Sequence, residues 1–301
     1  MVRELSLMTS SFSKVQLGAT ELQVTRLGLA AGYGADASVV EAAFERGVDL
    51  FYWGSTRGAG FAEGLRRVTK ARSGAAKLIV QSYARWPSGI GRSVEKALQE
   101  LRVERADVLL LGWWNLPPRD AILDAAREVV ARGRARYVMV SCHHRPTFGA
   151  LAQDPRVDLL MLRYNAAHPG AERDVFPALP SERPGIVAYT ATSWGQLLDP
   201  ALTPRGEPTP TSADCYRFVL SSPSVHACFT GPRDRKQLDE ALVALERGPL
   251  GAEELSWMRR VGEHVRRETK LRSGGMALGD RLVNLISGFG FRQTGELGER
   301  G

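Results

Sequence analysis

The chain has 301 residues, 44% apolar and 24% charged, enough to bury a large core. Its net charge of +7 comes from 34 arginines and 6 lysines against 33 acids. The basic residues are dispersed among acids along helical stretches, as in Glu45-Arg46 and Glu104-Arg105, which argues against a nucleic-acid partner. No apolar run approaches the roughly 18–20 residues of a membrane span, and Met1–Ser13 lacks a secretory pattern. Cys142, Cys215 and Cys228 have no zinc-type spacing, so free thiols, no metal and a cytoplasmic location are expected.

Residues 14–26 alternate apolar and polar about a glycine turn and predict a short β-hairpin. Eight apolar runs follow: Leu27–Ala31, Val48–Trp53, Leu78–Ser82, Val108–Gly112, Tyr137–Ser141, Leu159–Leu162, Ile186–Tyr189 and Val225–Thr230. Amphipathic stretches near 37–46, 59–71, 91–102, 119–132, 145–152, 171–178, 213–220 and 234–246 alternate with them. Ser93 is read as the cap of the third helix. Strands that are apolar on both faces, each followed by a helix, predict an α/β fold: one (β/α)8 barrel over about 27–246. A doubly wound sheet is the alternative, but no GxGxxG follows an early strand. Two more helices, about 251–268 and 279–287, lie in a C-terminal region (251–301), whose segment Leu278–Phe291 would form a lid or dock on the barrel wall.

The order of motifs resembles the aldo-keto reductase superfamily across about residues 14–268. The resemblance rests on Thr25-Arg26-Leu27-Gly28, Glu45-Arg46-Gly47-Val48-Asp49, Ser93-Val94-Glu95-Lys96-Ala97-Leu98 running into Ala106-Asp107-Val108, Tyr164-Asn165, and Thr230-Gly231-Pro232-Arg233. It implies that the hairpin plugs the barrel bottom. It also implies chemistry by an Asp, Tyr, Lys and His at the barrel top, with the Tyr protonating a carbonyl as hydride arrives from NADPH. Carried over one at a time, these four fall on Tyr52, Arg57, Tyr83 and Gly112, so that chemistry is not expected here. The family's nicotinamide contacts fall on Ser141, Cys142 and Met161, with the ring-stacking Tyr kept as Tyr189. Gly231, Arg233, Lys236 and Gln237 would hold phosphate at a helix N-terminus, so NADP(H) binding is left open.

The strand ends carry Tyr, Trp and His instead. Tyr52, Tyr83 and His143 are the candidate proton-transfer groups; the tyrosines would need a cation such as Arg57 or Arg85 nearby. Trp53, Arg57, Arg85, Trp113, Trp114, Asn115, His144, Arg163, Asn165 and Trp194 are the candidate ligand contacts, suited to an aromatic or carbonyl-containing small molecule. Several have plainer readings. One of Trp113 and Trp114 would pack under a helix, His168 would cap the sixth helix or act as an acid–base group, and Arg163 would clamp an anion or pair with Glu172. Cys142 lacks an activating base, and His143-His144 lacks further metal ligands. Three functions stay open: acid–base chemistry without hydride transfer (isomerase, cyclase or lyase type), an NADP(H)-dependent oxidoreductase with a substituted proton donor, and a non-catalytic ligand-binding barrel.

Overall fold

The computed structural model describes residues 12–54, 58–180 and 184–287, with side chains as far as 271. The hairpin strands β1 (Val15–Gln16) and β2 (Gln23–Val24) pair antiparallel, Val15 opposite Val24. Eight parallel strands then close into a barrel: β3 (Leu27–Ala30), β4 (Leu50–Gly54), β5 (Lys77–Ser82), β6 (Ala106–Trp114), β7 (Ala135–Cys142), β8 (Leu159–Arg163), β9 (Gly185–Tyr189) and β10 (Ala227–Thr230), with β10 pairing back onto β3.

Between the strands run α1 (Ala37–Glu45), α2 (Ala59–Ala71), α3 (Pro87–Leu101), α4 (Asp120–Ala131), α5 (Thr147–Gln153), α6 (Ala171–Asp174) and α7 (Ser212–Leu220), followed by α8 (Arg235–Arg247) and α9 (Ala252–Ser287). Two expectations change. Pro87 starts α3, because its fixed φ and missing N–H suit the first helical position, which leaves Ser93 mid-helix. Residues 252–287 form one continuous helix rather than two, and the side chains of its last part lie outside the described residues.

The strand alternation sorts side chains into two cores. Leu50, Ile79, Val108, Leu110, Met139, Leu159, Met161, Val187 and Phe229 fill the barrel interior. Leu17, Leu22 and Val24 join them, so the hairpin seals the bottom. Buried Asp49 anchors that plug by accepting from Lys14 Nζ (2.7 Å), the Thr25 amide (2.7 Å) and Thr25 Oγ1 (2.9 Å). The other register, including Trp53, Leu109 and Val140, packs against the helices. Buried Arg217 of α7 ties down α9 through Glu254 (2.6 and 2.9 Å).

The candidate functional site

Inward-facing positions climb each strand at every second residue, and the topmost open onto the C-terminal mouth where barrels of this kind place their chemistry. On β5 the series is Ile79, Gln81 and Tyr83; on β7 it is Tyr137, Met139 and Ser141, then His143 past the strand end. A cleft of about 510 Å³ lies at the opposite end beside Phe12, Lys14 and Arg26. Arg26 there is spent on the carbonyls of Leu220, Val225 and His226, a structural tie.

One quarter of the mouth is phenolic. The Tyr52 hydroxyl donates to Gln81 Oε1, and a side chain on Gly54 would meet both the Tyr52 and Tyr83 hydroxyls at 3.1 and 3.3 Å. Gln81 is fully buried and its Nε2 has no partner among the described residues. It fits only because Gly112 opposite has no side chain, since a Cβ there would overlap the Gln81 amide. Sequence reading passed over Gln81; the signal was a polar residue on the inward register of an otherwise apolar strand. Arg57, the one cation expected beside Tyr52, is outside the described residues, and Arg85 is turned away from the phenols. Arg85 donates to the carbonyls of Gly112 (3.0 Å) and Trp113 (2.8 Å) while stacking on Trp114, so it clasps the β5 and β6 ends together.

The tryptophans divide. Trp53, 1% exposed, points outward and stacks on Phe61 of α2 at 6.3 Å, because its position on β4 has the opposite parity to Tyr52. Trp114 packs on the helix layer. Trp53 thus does not line the mouth, contrary to expectation, and Trp114 follows the plainer of its two expected readings. Trp113, 53% exposed, stands at the rim edge-on to Tyr83 (5.5 Å), and Asn115 is exposed just beyond it. Trp194, 62% exposed, lies across the mouth under the Arg163 guanidinium, 5.5 Å from its ring centre. Trp113, Thr190, Ser193 and Trp194 all adopt the left-handed region (φ 59°, 62°, 51° and 56°), a cluster of backbone strain at this end.

A second quarter is built from β7, β8 and β9. His143 Nδ1 lies 3.3 Å from the Tyr189 hydroxyl, which also hydrogen-bonds Ser141. Burial, with Arg163 nearby, holds the His143 imidazole below its ordinary pKa, and burial raises that of Tyr189; both are neutral at pH 7. Arg163 makes no hydrogen bond or ion pair among the described residues, and the expected pairing with Glu172 does not form. Glu172 is bound instead by Arg259 (2.9 Å twice) and the Tyr164 hydroxyl (2.5 Å). A recess of about 10 Å³, room for one water, is lined by His143, Arg145, Arg163 and Tyr189.

Other candidates serve the frame. His144 Nδ1 meets Thr147 Oγ1 (2.8 Å) at the start of α5, and fully buried Asn165 donates to the Thr190 carbonyl (2.7 Å) and accepts from the His168 amide (2.8 Å). The Cys142 thiol faces the helix layer with its pKa raised by burial, so it is no thiolate. Among the described residues no cluster of three or more metal-ligating side chains occurs, and no helix is long and apolar enough to cross a membrane.

No family model matches the sequence. Among solved structures, an aldo-keto reductase of Bacillus halodurans superposes with a TM-score of 0.71 in its holo form and 0.69 in its apo form. It is 18% identical, over 83% of this chain and 96% of that one. An aldo-keto reductase of Klebsiella pneumoniae in complex with NADPH superposes at 0.70 with 19% identity, over 83% of this chain and 95% of that one. The fold is that of the aldo-keto reductases.

Whether an aldo-keto reductase cofactor suits these residues can be tested at both ends. At the nicotinamide end Ser141 is buried against Tyr189, Cys142 faces away, and Met161 offers no hydrogen bond. At the phosphate end the Arg233 and Lys236 side chains are exposed and basic, but the Gln237 amide of α8 and the Arg233 amide just before the helix are already bonded. Asp234 caps the Gln237 amide (2.9 Å), Gln237 Oε1 takes the Arg233 amide (2.9 Å), and the Tyr33 ring fills the space over Gly231. The residues present do not fit the nicotinamide end of NADP(H).

Proposed function

We propose that this chain uses the aldo-keto reductase barrel for proton transfer on a small carbonyl-containing molecule, through His143 and Tyr189, without hydride transfer. The observation that carries the reading is the 3.3 Å contact between a neutral imidazole and a neutral phenol beside a guanidinium that has no ion-pair partner among the described residues. With Nδ1–H donated to the Tyr189 oxygen, His143 Nε2 presents a lone pair to the mouth and the Tyr189 O–H is free to donate. A C–H proton next to the ligand carbonyl passes to Nε2, the electron pair moves onto the carbonyl oxygen, and Tyr189 hydrogen-bonds that oxygen. Return of the proton to the same or the neighbouring carbon completes an exchange or an isomerisation, with no oxidant required. The positions of the family's four groups support the reading, since Tyr52, Tyr83 and Gly112 bring neither a carboxylate, an ammonium nor an imidazole to the mouth.

Solvent deuterium incorporation into a panel of aryl keto acids and keto esters, followed by proton NMR, tests this. The unmodified protein is expected to accelerate exchange, and His143→Gln to lose about 10²–10⁴ of that rate. Equal rates in the protein, the variant and buffer alone sink the proposal.

A further inference from the structure

We propose that the rim between the end of β8 and helix α9 is an oxyanion subsite, where Arg163, Arg266 and Lys270 take a phosphate or carboxylate group of a ligand whose planar part rests by Trp194. The subsite rests on the proton-transfer reading only in placing the ligand's carbonyl at His143.

Arg163 continues the inward register of Leu159 and Met161, so β8 aims a permanent cation at the mouth. Its stacking on Trp194 leaves the in-plane N–H groups uncommitted, the geometry that grips an oxyanion with two parallel hydrogen bonds. A half-buried charge without a counterion is unfavourable, and the acids of the neighbouring α6 are already committed. Glu172 belongs to Arg259 and Tyr164, and Asp174 to Arg145 (2.7 Å) and Arg173 (2.6 Å).

Helix α9 supplies the second wall. A side chain on Gly262 would overlap the Ala166 carbonyl, so the helix backbone lies directly on the loop that follows β8. Arg266 and Lys270 stand one and two turns further along that side. Neither has an acid within ion-pair distance among the described residues, whereas Arg259, on the N-terminal side of Gly262, is paired to Glu172. His168 records the resulting field. Burial first, then Arg163, Arg266, Arg145 and Lys270, push its pKa down to about 4, with no carboxylate opposing them. The imidazole is edge-on to Trp194 at 6.0 Å and the Arg163 guanidinium lies 5.5 Å from the same indole, so His168, Arg163 and the exposed ring share one space beside the α9 contact. Several cations around one group favour a dianionic phosphate ester over a singly charged carboxylate.

Titration of the full chain with inorganic phosphate, phenyl phosphate and benzoate at low ionic strength, read by tryptophan fluorescence and calorimetry, tests the subsite. Saturable binding is expected, tighter for phenyl phosphate than for phosphate, and weakened about tenfold or more in Arg163→Met. The surface variants Arg266→Ala and Lys270→Ala, which leave the core untouched, are expected to weaken it about threefold or more each. Benzoate outcompeting phenyl phosphate, with the same variant losses, supports the subsite and identifies the group as a carboxylate. No saturable binding, or equal affinity in Arg163→Met and the two α9 variants, overturns it. Because this binding needs no turnover, deuterium exchange that survives without anion binding removes the subsite alone, and anion binding without exchange removes the proton-transfer reading alone.

Discussion

Gly112 and Gln81 occupy one space: the glycine on β6 is what lets the buried glutamine of β5 lie across the barrel beneath Tyr52. Gly112→Ala is therefore expected to destabilise the protein by about 1–3 kcal/mol through overpacking. Adding Gln81→Ala should recover part of the loss, a coupling that urea melts of the two single variants and the double variant would read. The same clash means that placing a histidine at 112, the residue type the reductases carry there, cannot by itself restore their site.

Trp53 and Trp194 separate stability from recognition. Trp53→Ala removes a fully buried ring stacked on Phe61 and is expected to cost about 3–5 kcal/mol, measured by chemical denaturation. Trp194→Ala, at an exposed rim position, should change stability by less than about 1 kcal/mol while abolishing the fluorescence response to phenyl phosphate. A large stability loss in Trp194→Ala would show that the rim is part of the core.

Asp49 predicts how firmly the plug is held. Asp49→Ala leaves the Thr25 amide and hydroxyl without their acceptor and breaks the link to Lys14. A loss of about 2–4 kcal/mol is expected, together with faster amide exchange in the hairpin than in the barrel strands.

His168 sets a pH window. Its folded pKa of about 4 lies below the ordinary 6.5, so the unfolded chain takes the proton first as pH falls. Its contribution to stability is complete above about pH 6.5 and is lost progressively toward pH 4. His168→Gln should flatten the melting temperature across that window. Phosphate bound nearby should raise the imidazole pKa, as read by NMR.

The barrel was legible because a fully buried parallel strand writes an uninterrupted apolar run, and eight such runs alternate with helical periodicity from Leu27 to Thr230. The strand ends were legible as a layer but not as individual directions. Trp53 and Tyr52 are neighbours in sequence, yet one residue of register sends one into the helices and the other into the barrel. Arg85 and Asn165 are polar residues at strand ends that satisfy backbone groups rather than ligands, a distinction that composition does not carry. The contribution of Arg266 and Lys270 was hidden because it depends on where α9 crosses the loop after β8, a long-range contact made through Gly262.

The central claim, proton rather than hydride chemistry at the barrel top, is tested most directly in one tube. The protein is incubated with an aryl keto acid and NADPH in deuterium oxide, with NADPH absorbance and the substrate's NMR spectrum followed together. Deuterium accumulating next to the carbonyl at constant NADPH, and ceasing in His143→Gln, is the result predicted. NADPH consumed in step with alcohol formation would contradict it.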